Sequence, residues 1–123
     1  MTAPEITPGL VLHLDPDTLL ALGADCTSLS DIRVRGPHFF LCLSVSGAVS
    51  RWIPLYSRAG PGRVELAGHR VGHPKWTTQS AYFHPGQVWT ASHQAVVNAS
   101  VAGGDLSSRV RRNMLDGSAV PTL

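Results

Sequence analysis

Twelve glycines and nine prolines are spread along a chain of 123 residues, and they cut its apolar stretches into short runs. Nothing approaches the roughly 18 consecutive apolar residues that a membrane-crossing helix needs. Punctuation of this kind permits many short strands and helices joined by turns, and it excludes a coiled coil or a long-helix bundle. Only 15% of residues are charged, against a usual figure of about 25%, while 43% are hydrophobic. A disordered acidic tail is therefore excluded as well. A chain of this length buries roughly two-thirds of its unfolded surface, so residues 1–123 read as one domain, with a core over about 8–115 and a loose tail over 117–123.

The first run, Gly9 to Leu14, lies between Pro8 and Asp15-Pro16 and predicts a strand. Asp15 has the side chain of an N-cap and Pro16 suits the first helical position, so Thr18 to Leu22 continues as a short helix that stops at Gly23. Residues 24–37 show no period and predict a long loop with a brief strand at Ile32–Val34. His38 to Val45 carries the aromatic and β-branched weight of a central strand, and Ser46-Gly47 turns it into a partner over Ala48 to Ser57. Pro54 requires that partner to bulge, to end near Ile53 or to lie at an edge. Arg63 to Ala67 alternates like a half-exposed strand, Gly68 to Gln79 reads as a loop, and Ser80–Phe83 and Gln87–Thr90 read as strands around His84-Pro85-Gly86. Ser92 can cap a helix containing Ala95, Val96 and Ala99 that stops at Gly103-Gly104. Asp105 can cap a second, in which Leu106, Val110 and Met114 form an i, i+4, i+8 stripe. These elements sum to a mainly β fold: a small, strongly bent antiparallel sheet, nearly a barrel, with one or two C-terminal helices.

The net charge is only +2, but it is unevenly placed. Five of the eight acids precede residue 32, whereas Gly36 to Gly104 holds Arg51, Arg58, Arg63, Arg70 and Lys75 against the single acid Glu65. Such a centre attracts polyanions. Nine of the ten basic residues are arginine, a bias that a GC-rich genome also produces. Cys26 and Cys42 match no zinc or redox spacing and read as small buried hydrophobes with free thiols. Free thiols fit a reducing compartment, and the residues after Met1 lack the basic and apolar regions of a signal peptide. The expectation is a soluble, cytoplasmic protein with no membrane partner.

His69, His73, His84 and His93 invite a metal, yet no Cys or acid completes a tetrahedral set, and Gly72 and Pro74 argue against a helix that would stack His69 on His73. No metal is expected. Without a G-x-S-x-G elbow, a Walker loop or a G-x-G-x-x-G turn, neither a serine hydrolase nor a nucleotide cofactor is expected either. Trp52, Trp76 and Trp89, with Tyr56, Tyr82 and Phe83, accompany Arg51, Arg58 and Arg63, a mixture able to stack bases and hold phosphates. Trp52 and Trp89, inside strand-like runs, read as core. Trp76, between Lys75 and two threonines, is open to either placement, and the surface one makes it a substrate contact.

The order of these features resembles the MazF/PemK/Kid family of small toxins. The resemblance is carried by Arg35 with Pro37 before the second main strand, by Pro54-Leu55-Tyr56-Ser57 where the family has a Pro-Leu-Thr-Ser-like turn, and by Gln87-Val88-Trp89-Thr90 leading to the C-terminal helices. Gly103-Gly104-Asp105-Leu106-Ser107 is similar to the start of the family's last helix. It covers residues 8–115 or so, through short motifs. It implies an SH3-like barrel, usually a homodimer, that cuts single-stranded RNA without metal and is neutralised by an antitoxin protein. Attack by a ribose 2′-OH on its own phosphodiester needs a base, an acid for the leaving oxygen and a cation for the developing charge. On this resemblance Arg35 is that cation or the acid, with Arg33 competing, and Ser57 or Tyr56 stands where the family places a phosphate-binding Thr. His84 and His38 supply proton carriers, imidazole's ordinary pKa of about 6.5 suiting the task. The catalytic candidates are thus Arg35, Ser57 and His84, and the substrate contacts Arg33, His38, Tyr56, Arg58 and Trp76, with no cofactor. For Arg35 the plain structural alternative is a loop residue paired with Asp31. For the whole chain the alternative is a non-catalytic SH3-like module that binds nucleic acid or protein through its arginine and aromatic face.

Overall fold

Glycine and proline end the elements much as the sequence predicts in the computed structural model, which describes residues 6–28, 33–101 and 112–123. Strand β1 (Leu10–Leu14) follows Gly9, whose φ of +92° and close approach to the Leu115 carbonyl leave no room for a Cβ. Helix α1 (Pro16–Ala21) starts at the Asp15 cap, whose carboxylate accepts from the Asp17 N–H. Then come β2 (Asp25–Cys26), β3 (His38–Ser46) and β4 (Val49–Pro54), the last two joined by a turn at Gly47. The chain continues through β5 (Val64–Glu65), β6 (Arg70–Val71), α2 (Pro74–Thr77), β7 (Tyr82–Phe83) and β8 (Trp89–Ser92). Helix α3 (His93–Ala99) and β9 (Asn113–Leu115) complete it.

Seven strands pair antiparallel in the order β2-β8-β4-β3-β1-β9-β6, and β5 and β7 form a second, small sheet. The fold is mainly β, as the sequence predicts. Because side chains alternate along a strand, the large sheet has two buried faces. Leu10, Leu12 and Leu14 of β1 point to one, with Phe40, Cys42, Trp52 and Trp89. This face is covered by Leu19 of α1 and by Ala95, Val96 and Ala99 of α3. Val11, Leu41, Ile53 and Leu115 point to the other, against Leu55, Leu66, Trp76, Phe83 and Val88. Trp52 and Trp89 sit directly opposite each other and are fully buried, as read from the sequence. Phe40 meets the Trp89 ring edge-on at 5.9 Å.

Several local expectations are corrected. Pro54 closes β4 as its last residue, in keeping with an end near Ile53, although the one register shift between β3 and β4 falls in β3, between Cys42 and Ser44. The strand expected at Ile32–Val34 is absent at Val34, and Ile32 lies outside the described residues. Asp25–Cys26 pairs with β8 instead. Within the loop expected over Gly68–Gln79 lie β6 and α2: Pro74, read as a breaker, occupies the first turn of α2, where its missing N–H costs nothing. Met114 is in β9, not a helix, because Leu10 and Val11 offer Met114 and Asn113 a ladder and Leu115 a place in the core. The expected helix start at Asp105, with Leu106 and Val110, lies outside the described residues. Residues 117–123 are anchored rather than loose. Gly117–Ala119 forms a 3-10 turn capped by Asp116, Val120 packs on the second core, and Arg51 Nη2 donates to the Leu123 carbonyl at 2.8 Å. Among the described residues no helix is long and apolar enough to cross a membrane.

Both thiols are free, and burial pushes Cys42 up to about 12 while Cys26 is half-buried. Only a thiolate is nucleophilic. An excess of a chromogenic disulfide at pH 8 is therefore expected to titrate one thiol in the native protein, lost in Cys26→Ser, and the second only after unfolding.

Candidate functional site

Between the loop before β3, the turn after β4 and the turn joining β7 to β8 lies a cleft of about 370 Å³. Its walls are Arg33, Val34, Arg35, His38, Tyr56, Pro61, Arg63, His84 and Gln87. Three arginines face it, and no carboxylate lines it among the described residues. The cleft is thus a concave basic surface of the kind that concentrates anions.

The frame of the cleft is the side chain of Gln87, only 2% exposed. Its Oε1 accepts the Val34 N–H at 3.0 Å and the Trp89 indole N–H at 3.1 Å, which fixes the amide orientation. Its Nε2 donates to Tyr56 Oη at 2.9 Å. The loop carrying Arg33 and Arg35 is held by this side chain where a strand would have used a ladder. Thr27 clamps the near end of the same loop, donating to the Gly86 carbonyl at 2.7 Å and accepting from the Val88 N–H at 2.9 Å.

Each polar wall has a defined orientation. Because Tyr56 Oη accepts from Gln87, its own proton remains free to donate. Burial, outweighing the Gln87 bond and nearby Arg63, raises the Tyr56 pKa and keeps the hydroxyl protonated. Arg63 lies 3.8 Å over the Tyr56 ring and is steadied by Nη1 donating to the Arg58 carbonyl at 3.0 Å. Arg33 Nε is buried with no hydrogen-bond partner. His38 Nδ1 meets the Gly36 carbonyl at 3.0 Å. A carbonyl can only accept, so neutral His38 carries its proton on Nδ1 and a lone pair on Nε2. His84 is the opposite case: its Nδ1 accepts the Gly86 N–H at 3.0 Å, so the proton of the neutral ring is on Nε2. The His84 ring rests on Gly62, where any Cβ would stand 2.7 Å from Nε2.

On the far side of His38 and Tyr56 is a smaller pocket of about 190 Å³. Phe39, Leu55, Trp76 and Ala81 form its apolar part, and His13, Ser57, Lys75, Gln79 and Ser80 its polar part. Trp76 is 2% exposed, which corrects the surface placement. The single turn of α2 directs the indole inward, where Nε1 donates to the Met114 carbonyl at 3.2 Å and the ring meets Phe39 at 6.2 Å. Burial, followed by the charges of His38 and Lys75, lowers the His13 pKa and keeps the ring neutral.

Of the candidates read from the sequence, Arg33, Arg35, His38, Tyr56 and His84 come together in the cleft. Ser57 and Trp76 line the neighbouring pocket, and Arg58 contributes its carbonyl to Arg63. Asp31, the partner considered for Arg35, lies outside the described residues. Arg63 as a wall and His13 were missed. The signal for His13 was a lone imidazole within an otherwise apolar strand. Gln87 stood in the sequence only as a motif position, although an amide between Gly86 and two apolar residues marks a buried polar anchor. Among the described residues no group of three His, Cys, Asp or Glu side chains is placed to hold a metal ion. No model of a known family, no curated protein and no solved structure matches the chain.

Replacing Gln87 by Leu leaves the Val34 N–H and the Trp89 indole N–H without their acceptor. The substitution is expected to cost about 2–4 kcal/mol, seen as a lower urea midpoint with an unchanged slope. An unchanged midpoint would show that the amide is not the frame of the cleft.

Proposed function

We propose that the protein is a metal-independent endoribonuclease that cuts single-stranded RNA by attack of a ribose 2′-OH on the adjacent phosphodiester. The observation that carries this reading is the pairing, in one basic cleft, of a histidine with a free lone pair and a histidine with a free N–H. His38 Nε2 takes the proton of the 2′-OH as the O2′–P bond forms. Arg35, with Arg33 and Arg63, balances the charge that gathers on the phosphorane oxygens, and His84 Nε2–H donates to one of them. As the P–O5′ bond breaks, the leaving oxygen takes the Tyr56 hydroxyl proton, and the phenolate regains a proton from His38 through solvent. The products are a 2′,3′-cyclic phosphate and a 5′-hydroxyl. We assign this last donation to Tyr56 because converting His84 to imidazolium would break its bond from the Gly86 N–H. A cytoplasmic setting, an antitoxin and a second copy of the chain are partners that go with this reading through the resemblance to the MazF/PemK/Kid family.

The test is incubation of a long, end-labelled single-stranded RNA with the protein in EDTA, beside Arg35→Ala and His38→Ala. Discrete cuts with cyclic-phosphate ends are expected. Each variant should lose activity, with a drop of about 10²–10⁴ for the base. Intact RNA shifted in a salt-dependent way by the folded protein would favour the non-catalytic binding module instead.

A further inference from the structure

The small pocket adjoins the cleft, with His38 and Tyr56 as their shared wall. It is an apolar slot, well below the roughly 300–1,000 Å³ typical of drug-sized ligands, and therefore sized for one ring system. Its apolar part includes two aromatic rings, Phe39 and Trp76, and the second is held in place from outside. Arg70 packs over the Trp76 ring, 4.6 Å from its centroid, and donates to the carbonyls of Leu66, Trp76 and Gln79, which holds the rim as well as the floor. Phe39, half-buried, is one of the pocket's lining residues.

One buried polar atom of a pocket-lining residue has no protein partner. His13 Nδ1 is buried with nothing to bond, and a buried lone pair is tolerated more readily than a buried N–H. The proton of the neutral ring is therefore assigned to Nε2, and His13 is one of the residues lining the pocket. A neutral donor in an aromatic slot suits the edge of an uncharged planar heterocycle rather than an anion.

We infer that this pocket seats one nucleobase of the bound RNA, the base attached next to the phosphate in the cleft, stacked against Phe39 and reading a hydrogen bond from His13. This deepens the proposed function and rests on the cleft being a phosphate site. Bases splayed from single strands are recognised in this way, by an aromatic face and one or two hydrogen bonds to the base edge. The consequence is a preference for one base at the position flanking the cut.

Binding of inorganic phosphate and of the four ribonucleoside 3′-monophosphates, measured by calorimetry on the whole chain, separates the two layers of this account. At least one nucleotide is expected to bind about tenfold or more tightly than phosphate, the order of one base–aromatic stack. Phe39→Ala should remove that advantage while phosphate still binds, and His13→Leu should flatten the differences among the four bases. Equal affinity for phosphate and all four nucleotides would overturn the base pocket and leave the cleft standing. Failure of phosphate and nucleotides alike to bind would overturn both. Circular dichroism of each variant confirms the fold, and if Phe39→Ala unfolds, Phe39→Leu takes its place with the same expectation.

Discussion

A buried primary amide is costly unless its hydrogen-bonding capacity is met, and the architecture of this site follows from how Gln87 meets it. Its carbonyl takes two N–H groups and its amino group reaches Tyr56, so one side chain ties together a loop, a strand and the turn after β4. The loop bearing Arg33 and Arg35 needs such a tie because it has no ladder of its own at Val34. Thr27 repeats the device at the loop's other end. The arginines are thereby presented by the rigid sheet, although they stand on irregular chain.

The same economy sets the protonation pattern. His38 and His84 each spend Nδ1 on a backbone group two residues away, one on a carbonyl and the other on an N–H. Local turn chemistry, with Gly36 and Gly86 as the partners, thus makes one ring an acceptor and the other a donor at Nε2. The roles follow from the backbone and not from a third catalytic side chain.

The strands were legible wherever breakers bounded a run with clear alternation, as in β1, β3, β4 and the Asp15-capped α1. They were illegible where tertiary pairing overrode local pattern. Met114 fits a helical stripe, but Leu10 offers it a ladder, and Leu115 beside it is drawn into the core. Asp25–Cys26 has no strand signal and pairs because β8 presents an open edge. At the site, arginines and histidines could be nominated from the sequence by residue type and by resemblance, and five of eight candidates share one cleft. Trp76 escaped that reasoning because a four-residue helix, started by a proline that read as a breaker, turns it inward. Whether Ser57 faced the cleft or its neighbour depended on which way the chain leaves Tyr56, which no local pattern encodes.

The central claim is that the two cleft imidazoles hold opposite tautomers in the free protein, and long-range ¹H–¹⁵N correlation spectra of uniformly ¹⁵N-labelled protein above pH 8 test it most directly. His38 is expected to show a protonated Nδ1 and bare Nε2, and His84 a bare Nδ1 and protonated Nε2. His38→Gln and His84→Gln spectra would assign the signals. Two rings in the same tautomer, or two rings averaging freely between both, would contradict it.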